Sequence, residues 1–135
     1  MTRMDLAQVI INEASDAQII VLKERDGHRS FPILIGSAEA GAIDRGLRDQ
    51  RTPRPMTHDL VNNVLNALGV ELERVVVNDM RNKTFYARLI LVRDGEAIEV
   101  DSRPSDAIAV ATLRDAPIYA EERVLQAVCK SDDFD

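Results

Sequence analysis

Two short runs concentrate groups able to bind a cation or move a proton: Pro53-Arg54-Pro55-Met56-Thr57-His58-Asp59-Leu60 and Asp101-Ser102-Arg103-Pro104-Ser105-Asp106-Ala107-Ile108. Each leads a loop or strand into a helix through a proline, a hydroxyl and carboxylates. Such carboxylates have two uses. A negative charge at a helix N-terminus stabilises the helix by about 0.3–1 kcal/mol, and a pair held at one end of a sheet can ligate a divalent cation. Asp101 and Asp106 flank one turn and form the best-placed pair, while Glu39, at the start of another expected helix, is a candidate third ligand. His58 is suited to be a general base or a ligand. Asp59 and Arg103 join it as candidate catalytic groups, and the guanidiniums of Arg103 and Arg54 can clamp an oxyanion. Helix stabilisation and ligand binding both fit these residue types.

The elements that must position these groups follow from hydrophobic period and turn chemistry. Residues 9–11 and 19–22 read as strands, with 13–16 as the turn between them. Asp26-Gly27 turns the chain into a third strand over 31–35, ended by Gly36; Pro32, without an amide proton, belongs near its start or on an edge. From Ser37, read as an N-cap, Ala38, Ala42, Ile43 and Leu47 fall on one side of a helix. Residues 49–55 read as a polar, flexible loop. Thr57 then caps a helix whose stripe is Leu60, Val61, Val64, Leu65 and Leu68, with Asn62, Asn63 and Asn66 opposite and Gly69 as its stop. Strands over 72–78, 84–92 and 97–100 follow, the last two joined at Asp94-Gly95.

A third helix starts around Pro104 and carries Ala107, Ile108, Ala111 and Leu113. Residues 117–119 read as a short strand, 121–128 as a closing helix and 130–135 as a frayed tail. The expected fold is α+β, a largely antiparallel or mixed sheet with helices packed on it. Aligning 33–43 with 98–108 pairs Ser37 with Ser102, Ala42 with Ala107 and Ile43 with Ile108, as an internal βββα duplication would.

The chain has 135 residues, 45% hydrophobic and 30% charged, the size and composition of a single domain over 1–135 with its core over about 5–128. No apolar run nears the roughly 20 residues that span a bilayer. The polar stretch around Gln8, Asn12, Glu13 and Asp16 lacks a signal-peptide core, so no membrane role is expected and the cytoplasm is the expected compartment. One cysteine, Cys129, and two histidines exclude an intramolecular disulfide and any Cys- or His-rich zinc cluster. A net charge of -6 opposes bulk coating of nucleic acid, although a bound metal ion can supply local positive charge. There is no Gly-x-Ser-x-Gly elbow and no glycine-rich phosphate loop.

Five motifs together resemble one family: Phe31-Pro-Ile-Leu-Ile-Gly36 with Glu39-Ala40; Arg54-Pro-Met-Thr-His-Asp-Leu60; Phe85-Tyr-Ala-Arg-Leu89; Ser102-Arg-Pro-Ser-Asp-Ala-Ile108; and Ala116-Pro-Ile-Tyr119. In this order, over roughly residues 5–128, they resemble the bifunctional nuclease domain. Ser102 stands where that family's pattern has Ala, a small change that keeps every charge. The resemblance implies a nuclease acting on DNA and RNA. Metal nucleases hold Mg²⁺ or Mn²⁺ on carboxylates, which makes Asp101, Asp106 and Glu39 the candidate ligands. Two non-enzymatic alternatives fit the same residues: a regulatory or protein-interaction domain, and an anion sensor using the helix starts at Ser37 and Pro104. The apolar strands 75–77 and 89–92 could be covered on both faces, one by another subunit, so a homo-oligomer is expected.

Overall fold

The computed structural model describes residues 1–129; the expected frayed tail, 130–135, lies outside the described residues. Strand β1 (Thr2–Ile10) starts well before the 9–11 run, because Met4 and Leu6 alternate with polar Arg3 and Asp5 to make a half-buried strand. With β2 (Ala17–Glu24) and β3 (Ser30–Gly36) it forms an antiparallel meander. Helices α1 (Ser37–Leu47) and α2 (Thr57–Ala67) follow. A second antiparallel meander comprises β4 (Glu71–Arg81), β5 (Thr84–Arg93) and β6 (Glu96–Ser102). Helix α3 (Pro104–Arg114), β7 (Ile118–Ala120) and α4 (Glu122–Val128) complete the described chain.

The seven strands form one sheet in the order β3-β2-β1-β7-β4-β5-β6. β7 pairs antiparallel with β1 and parallel with β4, which makes the sheet mixed. Two three-strand meanders, each followed by a helix, thus lie in mirrored order on either side of β7. Pro32 sits in edge strand β3, as its missing donor requires. The β5–β6 turn uses Asp94 and Gly95, both at positive φ; the β4–β5 turn uses Asn82 and Lys83 in the same way. No helix among the described residues is long and apolar enough to cross a membrane.

One sheet face and the helices share a hydrophobic cluster that includes Ile20, Phe31, Ile43, Val75, Ala87, Ile108 and Leu125. Helix α3 runs through its middle: Ala107 to Ala111 are all buried, so this helix is apolar on every side. α1 approaches it closely at Gly46, where a Cβ would collide with Thr112 Oγ1. The sheet bends so far that Phe31 of β3 and Phe85 of β5, which are not sheet neighbours, stack with centroids 5.5 Å apart. On the opposite face Val76 and Ile90 are buried within the chain itself. Tyr119 lies on that face between the guanidiniums of Arg3 and Arg74.

Two helix starts differ from expectation. The N-caps are Gly36 and Met56, so Ser37 and Thr57 are first helical residues instead of caps. Ser37 Oγ instead donates to the Asp16 carbonyl. The expected apolar stripe of α2 is only partly buried, through Leu65 and half-buried Val61. Arg114, at the end of α3, donates to the side chains of half-buried Asn62 and exposed Asn66 and to the Val70 carbonyl. Leu60, Val64 and Leu68 are left exposed, and Leu65 is the buried residue of the helix.

Arg29 ties the β2–β3 turn to α4, donating to Glu122 at 2.6 Å and to Glu24 at 2.9 Å. The guanidinium and the backbone amide of Arg29 both donate to Glu24 and hold its carboxyl at about 2, below its ordinary 4.5. A depressed carboxyl contributes stability above its unfolded value and loses it as pH falls through the folded one. Glu24→Gln is therefore expected to lower the thermal midpoint at neutral pH. The gap from the parent protein should shrink as pH is taken from about 4.5 toward about 2, which melting curves across that range would read.

Candidate active site

Glu39, Asp59 and Asp106 each occupy the third position of their helix, where a carboxylate meets unpaired amides. Their surroundings separate them. Asp59 turns back on its own helix, its Oδ2 accepting the Met56 amide at 2.8 Å, and it lines a neighbouring polar cleft. Asp59→Ala is expected to destabilise the chain by about 1 kcal/mol as a lost cap, measurable by denaturant titration. Were Asp59 to carry the chemistry instead, activity would collapse with no matching loss of stability.

Asp106 and Glu39 converge. Asp106 Oδ1 lies 2.8 Å from His58 Nε2, and its Oδ2 accepts from Arg103 Nε at 2.8 Å. Arg103 Nη2 reaches across to Glu39 Oε2 at 3.0 Å. The chain His58–Asp106–Arg103–Glu39 thereby links the first turns of α2, α3 and α1. Gly36 lets Glu39 fold back over the start of α1, since a Cβ there would displace its carboxylate. Burial pushes the Asp106 carboxyl up, but the hydrogen bonds from Arg103 and His58 outweigh it and leave it below its ordinary value. The same bonds, to Asp106 first and then to Glu39, raise Arg103. The ionised carboxylate holds the imidazole in a fixed orientation.

These groups line a cleft of about 510 Å³ whose walls include Ala38, Met56, Val61, Leu89 and Val100. Its size suits a nucleotide-sized ligand. The starts of three helices face it, and their unpaired amides favour an anion. Asp101, at the end of β6, lines the cleft but no side-chain bond joins it to the other four. Arg54 lies in the loop before α2, outside the residues lining this cleft. Of the expected ligands, Asp106 and Glu39 face Arg103. Among the described residues no three His, Cys, Asp or Glu side chains are grouped to hold a metal. As arranged, Arg103 occupies both carboxylates, and an ion there would have to displace it.

Arg45, absent from the sequence-level candidates, also lines the cleft. Its signal was its spacing from Ala38, two turns apart on α1 and so on one helix face.

Residues 20–132 match the bifunctional nuclease domain. An uncharacterized protein of Mycobacterium tuberculosis is 38% identical over 125 residues, covering 93% of this chain and 74% of that protein. Bifunctional nuclease 1 of Oryza sativa subsp. japonica is 30% identical over 118 residues, covering 84% of this chain. Bifunctional nuclease 1 of Arabidopsis thaliana is 29% identical over 107 residues, covering 76% of it. The matches span only 36% and 33% of those two plant proteins. With its own family's domain matched across most of its length, this chain belongs to the bifunctional nuclease domain family.

Proposed function

We propose that the chain hydrolyses phosphodiester bonds of DNA and RNA at the cleft holding His58, Asp106, Arg103 and Glu39. The observation that carries this reading is the 2.8 Å contact between His58 Nε2 and Asp106 Oδ1 within that cleft. With Nε2–H directed at the carboxylate, the imidazole presents Nδ1 as proton acceptor. A water placed there would lose a proton to Nδ1 as its oxygen attacks phosphorus and the P–O bond to the leaving group breaks. Asp106 would stabilise the imidazolium, and Arg103 with the three helix starts would stabilise charge on the phosphoryl oxygens. The names of the plant relatives support the same chemistry at a distance.

The test is cleavage of labelled single-stranded DNA and RNA by purified protein with Mg²⁺, with Mn²⁺ and with EDTA. The expected Mg²⁺ or Mn²⁺ on Asp101, Asp106 and Glu39 enters as an arm of this assay. With His58 neutral the four linked groups sum to one negative charge, which a cation would offset. Cleavage abolished by EDTA would support that part of the reading. Absence of cleavage in every arm would sink the nuclease reading in favour of a regulatory domain or an anion sensor. Cell fractionation would check the cytoplasmic expectation.

A separate observation favours self-association. Edge strand β6 exposes Ile98 and Val100, and α2 exposes Leu60, Val64 and Leu68. Two β6 strands paired antiparallel about a two-fold axis would bring Ile98 opposite Val100 of the second copy. Light scattering that returns the 15.0 kDa monomer mass at high concentration would exclude this homo-oligomer.

A further inference from the structure

The stretch 45–54 carries Arg45, Arg48, Arg51 and Arg54 against one carboxylate, Asp49, in a chain of net charge -6. Most other arginines are engaged: Arg25, Arg29, Arg74, Arg81, Arg88 and Arg103 pair with carboxylates, and Arg48 itself pairs with Asp44. The guanidiniums of Arg45, Arg51 and Arg54 have no such partner among the described residues. In an acidic protein, three arginines without an ion-pair partner thus lie within ten residues, with Asp49 as the single carboxylate of the stretch.

Arg45 lines both the His58–Asp106 cleft and an adjoining polar cleft of about 320 Å³, where Arg51, Gln50, Thr52 and Asn63 also lie. Asp49 and Asp59 line it too, but Asp59 is engaged in capping α2. The two clefts therefore share one wall at Arg45, and the arginines extend from the candidate active site along the α1–α2 loop.

We propose that this arginine track, Arg45–Arg51–Arg54, binds the phosphate backbone of a single-stranded nucleic acid and leads it into the cleft. This deepens the nuclease reading and rests on it. A flexible single strand suits the track because its successive phosphates can follow a loop, and guanidiniums grip phosphate oxygens in two-point fashion. With so few aromatic side chains, 4% of the chain, recognition runs through the backbone and is insensitive to base sequence.

The experiment is fluorescence anisotropy with a labelled single-stranded oligonucleotide, DNA or RNA, in EDTA across a salt series. It compares the parent protein, the triple variant Arg45→Gln/Arg51→Gln/Arg54→Gln, and Arg93→Gln, which removes a guanidinium at the far end of β5 that has no carboxylate partner among the described residues. Each phosphate contact steepens the log–log salt dependence by about 0.7 for single strands. Three contacts predict that the parent loses about twentyfold more affinity than the triple variant between about 50 and about 200 mM salt. Arg93→Gln should bind like the parent. A triple variant, folded by its melting curve, that keeps the parent's affinity and salt slope would overturn the track while leaving cleavage to be judged independently. Tight binding without cleavage would uphold the track and defeat the nuclease reading; no binding by the parent would overturn the track. Displacement of the oligonucleotide by polyglutamate of equal charge at equal concentration would overturn nucleic acid as its occupant.

Discussion

Asp106→Asn is expected to lower phosphodiester cleavage by about two to four orders of magnitude, the usual share of positioned acid–base catalysis. The carboxylate accepts from two donors at once, His58 on Oδ1 and Arg103 on Oδ2. A carboxamide has one acceptor and one donor end, so it must oppose one of them with an N–H. If its oxygen stays with Arg103, the NH₂ faces His58 Nε2 and selects the tautomer in which Nδ1 carries the proton. That imidazole cannot take a proton from water at Nδ1. If the amide flips, the histidine is oriented but the Arg103 bridge to Glu39 is strained. Either way the catalytic arrangement is lost, while the fold should suffer only about 1 kcal/mol, because the ion pair is partly exposed. His58→Ala should lose activity to a similar degree, and the double variant should lose little more, since the two residues act as a unit. Losses that multiply in the double variant would show that Asp106 does not act through His58. The stability share has its own signature: the Asp106 carboxyl lies below its ordinary 3.8. Its contribution is present above that value and disappears as pH falls further.

Local period and turn chemistry explain why much of this architecture was legible in the chain itself. Pro104 at a helix start, Gly69 at a helix end, Asp94-Gly95 at a hairpin and the βββα order all rest on interactions a few residues long. What escaped depends on partners far away in sequence. Arg114 bonds the asparagines of α2 from about fifty residues further along the chain, and no helical period could reveal that contact. The site shows the same division. Three carboxylates share one helical position, and residue type alone could not say that Glu39 and Asp106 would meet through Arg103 while Asp59 capped its own helix. Arg45 and Arg51 escaped because isolated arginines on a helix and a loop carry no motif.

Phe31→Ala is expected to cost about 3–5 kcal/mol, a large part of the 5–15 kcal/mol typical of a domain, and to lower the thermal midpoint by about 10–20 °C. Phe31 is fully buried, and its stack on Phe85 joins β3 to β5 across the bend of the sheet without any strand hydrogen bond between them. That link reaches the site from both ends. β3 runs through Gly36 into α1 and Glu39, while β5 holds β6, whose last residue, Ser102, pairs with Ala87 and precedes Arg103. The stack therefore sets the spacing over which Arg103 reaches Glu39 at 3.0 Å. Phe31→Leu keeps most of the buried volume and should recover much of the stability, but it replaces ring contact with a branched side chain. Its cleavage rate should fall below the parent's even at temperatures where it is fully folded. Residues in contact couple, so Phe31→Ala and Phe85→Ala together should cost less than the sum of their separate effects by more than about 0.5 kcal/mol. Simple additivity in that cycle, with full activity in folded Phe31→Leu, would mean that the stack fills space and does not hold the two meanders in register over the site.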